Sequence, residues 1–318
     1  MLIEKKKYFD FLDNKSKDCI NNTYKNLFNE KIKKKYPKTN SDVQIKFLVD
    51  DIVATKNITY YNNLLLLFNS FISFDDSIKL FNIIKVKKLT DSEIIKIMEE
   101  SKNKSIIKSN LYSCSKLEFS FEFIKRNIKK LGDNMTYLDI GCGDGRKTTK
   151  FGQVFKIKKE NINGTDIKTW GPYEAKKDLP FNFKYIQKNE KLDYADESFD
   201  IITCILTLHH IENINNMLSE IYRILKKNGT FILIEHDGLS YNDQLIIDIQ
   251  HSMFAFLYDN NKNYIKEPYY SCYLNNMEFE YILTKNFNFK LLYFDNYYQT
   301  IDLQKRYDQQ FYQIYTKL

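Results

Sequence analysis

The sequence predicts an α/β fold, a seven-stranded and mostly parallel sheet preceded by an α-helical N-terminal domain. Two observations carry that prediction. All nine glycines lie between Gly132 and Gly238, so residues 1–131 contain none. From Met135 onward, short β-branched and aromatic runs alternate with amphipathic stretches, the pattern of strands joined by crossover helices.

The glycine-free part reads as helices joined by polar turns. Apolar residues recur at helical spacing over about Lys15–Lys35, Asp42–Ala54 and Tyr60–Phe74. Thr90-Asp91-Ser92-Glu93 has the T-x-x-E form of a capping box and opens a helix through about Glu100. A last helix, about Lys116–Lys130, leads into the first strand. No Gly/Ser or Pro-rich linker separates the two parts, so the boundary near residues 102–115 is soft. The expected division is 1–105 for the helical domain and 106–318 for the α/β domain.

Strands are expected at Thr136–Ile140, Asn161–Asp166, Phe181–Gln187, Phe199–Leu206, Thr230–His236 and Phe289–Phe294, with a seventh near Phe311–Thr316. Helices fall at Arg146–Phe155, Ile214–Lys227, Asn242–Tyr258 and Tyr273–Lys285. In a parallel sheet covered on both faces, ligands sit beyond the carboxyl ends of the strands. The residues just after each strand therefore carry the functional reading.

Composition narrows the class. A hydrophobic content of 43% supports a packed core. The longest apolar run, Leu64 to Phe68, falls far short of the roughly 20 residues a membrane helix needs. The charged start, Met1 to Lys7, has no apolar segment behind it, and the five cysteines are scattered without a C-x-x-C pair. A reduced, cytoplasmic protein with no structural metal and no membrane anchor is expected. Residues 1–130 carry +10 and residues 131–318 carry −3, giving the net +7. Such asymmetry suits a nucleic-acid-binding arm. Yet only four of the 48 basic residues are arginine, the better phosphate fork, and lysine is abundant throughout. The charge says little about partners.

The chemistry begins after the first strand, at Leu138-Asp139-Ile140-Gly141-Cys142-Gly143-Asp144-Gly145. Alternate glycines let the backbone turn sharply and approach a ligand closely. The G-x-G-x-G spacing, with Asp139 two positions ahead, suits a cationic amino-acid tail better than a pyrophosphate; a tight turn without ligand is the plain alternative. Asp166 ends the second strand, 23 residues after Gly143. A carboxylate there can accept both hydroxyls of a ribose, or simply cap a helix.

From Met135 to His236 the sequence resembles the class I S-adenosylmethionine (SAM)-dependent methyltransferases, in particular the broad group that includes the ubiquinone/menaquinone type. The resemblance rests on the Leu138–Gly145 loop, on Asp166, and on Leu192-Asp193-Tyr194-Ala195-Asp196-Glu197-Ser198-Phe199-Asp200. Leu208-His209-His210-Ile211 after the fourth strand and Leu225-Lys226-Lys227-Asn228-Gly229 before the fifth complete it. It implies a Rossmann-like methyltransferase fold with SAM as methyl donor. Asp139, Gly141, Cys142, Gly143 and Gly145 would hold the methionine moiety and Asp166 the ribose. Asn189, Ile167 and Thr207 complete the expected cofactor set, with Asn189 at the adenine edge and Ile167 on its face. The chain departs from the pattern at Lys168-Thr169-Trp170-Gly171-Pro172, which breaks the second helix, and at Asn228, where proline is usual.

The acceptor side falls after strands four and five, where His209, His210, Glu235, His236 and Asp237 stand. His210, His236 and Glu235 are the candidate catalytic groups, able to take a proton from a hydroxyl or thiol; packing beneath the site is the alternative for the histidines. A metal held by Glu235, His236, Asp237 and His251 matches no known ligand spacing, and none is expected. Tyr269, Tyr270 and the aromatic run from Tyr293 to Tyr298 could wall an acceptor pocket. No D/N/S-P-P-Y/F segment follows strand four, which disfavours exocyclic base-amine methylation, and the fourth strand lacks the aspartate of a ribose 2′-O tetrad.

Methyl transfer to a small molecule is favoured slightly over RNA. Lysine clusters (Lys31, Lys33, Lys34, Lys35, then Lys125, Arg126, Lys129, Lys130) keep an RNA acceptor open, with the helical domain as holder, lid or protein-partner surface. An inactive SAM-binding scaffold is the reading of another class.

Overall fold

A computed structural model describes residues 44–101, 114–128, 132–167, 179–187, 191–253, 257, 271–297 and 310–318. The helix expected over Lys15–Lys35 lies outside them. The chain divides into two compact units, Met1–Ile106 and Ile107–Leu318.

The first unit contains α1 (Gln44–Thr55), α2 (Ile58–Asn69), α3 (Phe74–Val86) and α4 (Asp91–Ser101). Side-chain caps start three of them. Asn57 accepts from the Thr59 and Tyr60 amides, and Ser73 accepts from the Asp76 amide. Thr90 and Glu93 form the reciprocal pair the sequence predicts, at 2.8 and 3.2 Å. Leu48, Leu64, Leu67, Phe68, Phe71, Ile84, Ile94 and Met98 make a dry core. The sequence reading ran the preceding helix to Phe74 and expected none over α3. Phe71 and Ile72 continue the apolar run, but Ser73 with Asp75 and Asp76 in the next turn starts a new helix.

The second unit is a seven-stranded sheet in the order β3-β2-β1-β4-β5-β7-β6. Its strands are β1 (Tyr137–Ile140), β2 (Ile162–Ile167), β3 (Asn182–Ile186), β4 (Phe199–Ile205), β5 (Leu225–His236), β6 (Phe289–Tyr297) and β7 (Gln310–Lys317). The first five run parallel, and β7 is antiparallel to both β5 and β6. Around them lie α5 (Cys114–Asn127), α6 (Arg146–Val154), α7 (Ile214–Ile224), α8 (Tyr241–Met253) and α9 (Asn276–Asn286). Helices α5 and α6 bring Phe121, Phe123, Ile124 and Phe151 into one cluster with Tyr137, Ile201, Ile205, Ile232 and Ile234. Their strand neighbours Leu138, Ile202, Cys204, Phe231 and Leu233 are buried as well, and by alternation they point to the opposite face. A sheet buried on both faces follows.

Two boundaries differ from expectation. Helix α7 ends at Ile224, and β5 begins at Leu225 where the sequence suggests a turn. Leu225 already pairs with Phe199; the left-handed Asn228 (φ +60°) and Gly229 belong to a bulge in the strand. Helix α9 starts at Asn276, because Asn275 and Glu278 close a capping box there.

The strand order reverses between β1 and β4, which makes the carboxyl ends of β1, β2, β4 and β5 the ligand-binding edge.

Candidate active site

The bend after β1 carries Gly141, Gly143 and Gly145 at φ of +74°, +54° and +76°. A Cβ on Gly141 would fall 2.2 Å from Thr207 Oγ1, and one on Gly145 would meet Leu179 and Phe181 at under 3 Å. Those two glycines let the loop pack on protein. At Gly143 an added Cβ would meet nothing within 4 Å. The bend is thus open at one glycine only, where a ligand can come up against bare backbone.

Asp166, at the end of β2, is 6% exposed. Its Oδ2 accepts from the Gly143 amide at 2.7 Å and its Oδ1 from the Ile167 amide at 2.7 Å. The carboxylate thereby ties β2 to the open glycine. Cys142 turns its buried thiol toward Gly164, so only its backbone belongs to the bend.

Asp139, expected to face a cationic ligand, is buried beneath the bend. It is 2% exposed, and both oxygens are taken, by Thr148 Oγ1 at 2.5 Å and Thr203 Oγ1 at 2.6 Å. Thr203 accepts in turn from the Tyr137 hydroxyl at 2.8 Å. Asp139 braces β1 to α6 and β4 from below. Burial pushes its carboxyl up to about 6, against the pull of the two hydroxyls. Lys147, in the first turn of α6, was not singled out from the sequence. Burial lowers its ammonium pKa, while Asp139, Asp144 and Glu235 oppose the shift. Its only sequence signal is a cation two residues past the last glycine of the bend.

At the end of β4, Leu206 holds a left-handed conformation (φ +53°), which costs a non-glycine residue about 1–2 kcal/mol. Glu235 secures this turn. Its Oε1 accepts from the Thr207 and Leu208 amides at 2.8 and 2.6 Å, and its Oε2 lies 2.6 Å from His209 Nδ1. Burial pushes the Glu235 carboxyl up to about 7, with those amides pulling the other way. Glu235 was expected among the catalytic groups. It is 1% exposed, with both oxygens engaged.

All four histidines of the chain converge beside this turn. The His209 ring centre lies 3.9 Å from His210, 5.0 Å from His236 and 5.2 Å from His251. Tyr273 joins at 5.4 Å. His209 and His236 are buried, whereas His210 and His251 are half-buried. Burial holds the pKa of His209 well below the usual imidazole range, with His251 adding to the effect. His210 is therefore the more accessible of the two candidate catalytic histidines.

The metal set considered from sequence does not assemble. Asp237 is occupied by Asn276, whose side-chain amide reaches its two oxygens at 2.9 and 3.1 Å. Asn189, Trp170, Tyr269, Tyr270 and Tyr298 lie outside the described residues. Of the basic clusters, Lys125 pairs with Glu122 at 3.2 Å and Arg126 with Asp295 at 4.0 Å. Among the described residues, no helix is long and apolar enough to cross a membrane.

The Leu192–Asp200 segment is knitted to α7 by Arg223. Its guanidinium donates to the Leu192 and Tyr194 carbonyls and to Asp196 and Glu220, all within 2.6–2.9 Å.

Comparison with known proteins bears on the same stretch. Residues 138–233 match the family model described as a methyltransferase domain. A ubiquinone/menaquinone biosynthesis C-methyltransferase of Rickettsia bellii is 35% identical over 122 residues, 36% of this chain and 48% of the relative. A sterol 24-C-methyltransferase of Candida albicans is 33% identical over 109 residues, 33% of this chain and 29% of the relative. The chain thus spans less than half the length of these two relatives. The crystal structure of an S-adenosylmethionine-dependent methyltransferase from Mesorhizobium loti aligns with a TM-score of 0.45 at 12% identity, covering 62% of this chain and 96% of that one. The glycine bend, β2, β3, β4 and all of β1 but Tyr137 fall within this stretch, and residues 138–233 are similar to a methyltransferase domain.

Proposed function

We propose that the protein transfers a methyl group from SAM to a small-molecule acceptor. The observation that carries this reading is the bend at Gly143, open at a single left-handed glycine and tied by its amide to Asp166. That fits a nucleoside bearing an amino-acid tail: bare backbone for the tail, and a buried carboxylate for the ribose hydroxyls. Ile167 adds an apolar surface beside Asp166. Thr207 packs over Gly141 and is held there by Glu235.

SAM supplies an electrophilic methyl carbon, and displacement from a sulfonium needs in-line alignment more than general acid catalysis. This chain's residues orient and deprotonate. Glu235 fixes the turn carrying His209 and His210, and His210 is the group placed to take a proton from an acceptor hydroxyl or thiol. His236, 5% exposed, orients the neighbouring rings. A small acceptor is supported by the rings clustered at this edge and by the quinone and sterol named for the two relatives. The pairing of Lys125 and Arg126 with acidic neighbours weighs against RNA.

Calorimetry on the full chain is the first test. Gly143→Ala adds a methyl where nothing protein-borne stands, at a left-handed strain of about 1–2 kcal/mol, so the variant is expected to fold and to lose SAM affinity by at least about 10-fold, worth about 1.4 kcal/mol. Unchanged affinity in a folded Gly143→Ala protein would refute the site. Transfer of labelled methyl into fractionated cell extract then separates small-molecule, RNA and protein acceptors.

A further inference from the structure

We propose that His209, His210 and His251 bind a divalent transition-metal ion of the zinc class. Their ligating atoms lie within 4.8 Å of one another. The sequence hides this set: two ligands are adjacent on the turn after β4, and the third comes from α8, so no familiar spacing arises.

Two hydrogen bonds prepare the rings. Glu235 Oε2 stands 2.6 Å from His209 Nδ1 and, in its ionised form, accepts. His209 therefore carries its proton on Nδ1 and a lone pair on Nε2. Among the described residues, the buried Nε2 atom has no hydrogen-bond partner. With the residue 2% exposed, bulk solvent does not reach it, and leaving such an atom unsatisfied costs about 1–3 kcal/mol. On α8 the Ile247 carbonyl, which can only accept, lies 2.7 Å from His251 Nδ1. That places the neutral ring's lone pair on Nε2 as well. An imidazole whose far nitrogen donates to a carboxylate or a carbonyl is the usual outer-shell arrangement of a metal-bound histidine.

The donor set selects the ion. Three imidazole nitrogens without a thiolate favour zinc, cobalt, nickel or copper over magnesium and calcium, which want oxygen. Tetrahedral coordination needs nitrogens about 3.4 Å apart, so modest side-chain rotation closes the site. Three protein ligands leave a fourth position open. Resting on the methyl-transfer reading, that position would take the oxygen or sulfur of the acceptor and ease its deprotonation, and His210, its lone pair then on the ion, would serve as a ligand in place of a base.

Metal binding is tested apart from methyl transfer, on tag-free full-length protein. Titration with cobalt(II) is expected to develop the visible bands of a tetrahedral nitrogen site, with one equivalent bound and displaced by zinc. Equilibrium dialysis gives the affinity. His210→Ala and His251→Ala alter half-buried rings, and each should weaken binding about 10–100-fold with an unchanged circular dichroism spectrum. Glu235→Gln keeps the shape but can donate to His209, moving the ring proton to Nε2; it should weaken binding to a similar degree. No stoichiometric cobalt binding by the folded wild-type chain overturns the proposal. So does binding that survives the His210→Ala/His251→Ala double variant. Either result leaves SAM affinity, measured separately, to decide the methyltransferase reading on its own.

Discussion

Two buried carboxylates stand at the same sheet edge, at the ends of β1 and β5, and they are used differently. Asp139 accepts two threonine hydroxyls, one on each oxygen, and ties its strand to its neighbours. Glu235 accepts two amides and one imidazole and, by fixing that ring, leaves its other nitrogen without a partner among the described residues. A buried carboxylate can thus finish a scaffold or prime a neighbour. What the second atom of the partner does decides which. A threonine hydroxyl that donates to Asp139 can accept elsewhere, as Thr203 does from Tyr137. A neutral ring that donates at Nδ1 must accept at Nε2.

The largest test joins both sides. Gly141→Ala drives a methyl into Thr207 and strains a left-handed residue, and Thr207 hangs from Glu235 through its amide. A stability loss of about 3 kcal/mol or more is expected in urea unfolding. A loss below about 1 kcal/mol would mean that the two halves are not coupled through Thr207.

Next comes the pH response of Glu235. Its pKa is about 7 in the fold against 4.5 unfolded. A raised carboxyl stabilises fully below the unfolded value, and that contribution is lost as pH rises through the folded one. Between pH 4.5 and about 7 the wild type should therefore lose roughly 2–3 kcal/mol relative to Glu235→Gln, which has no proton to give up. A difference that stays flat with pH contradicts the burial argument.

Thr203→Val removes one donor to Asp139 and one acceptor for Tyr137 while keeping the shape. About 1–2 kcal/mol is expected, with cobalt binding unaffected, which would sharpen the separation of the two sides. The smallest effect belongs to Asp193→Ala. This residue pairs with Lys184 on the surface, and it should change stability by less than about 0.5 kcal/mol. A larger change there would mean that generic charge effects swamp the comparison.

The strands and the glycine bend were legible because they are local. Three glycines within five residues of a glycine-poor chain mark a turn, and runs such as Phe199–Ile205 keep their strand character wherever they are placed. The roles of Asp139 and Glu235 were not legible, since each depends on partners brought from other strands and helices. Sequence adjacency put Asp139 beside the ligand, and only the hydroxyls of Thr148 and Thr203 show it turned inward. The histidines were half legible. His209, His210 and His236 follow strand ends, but nothing local tells that α8 swings His251 to within 5.2 Å of His209. The start of β5 was missed because Asn228 and Gly229 spell a turn, and the pairing with Phe199 that overrides them is long-range.

Strand β7 lies between β5 and β6 although it follows both in the chain. During synthesis β5 therefore waits with one row of amides and carbonyls uncovered, and β6 has no neighbour to join until residues 310–317 emerge. An apolar strand with a bare edge is a template for pairing between chains. Residues 310–317 are the piece whose arrival ends that exposure, so a chain interrupted before them would carry a sheet already assembled on one side and adhesive on the other.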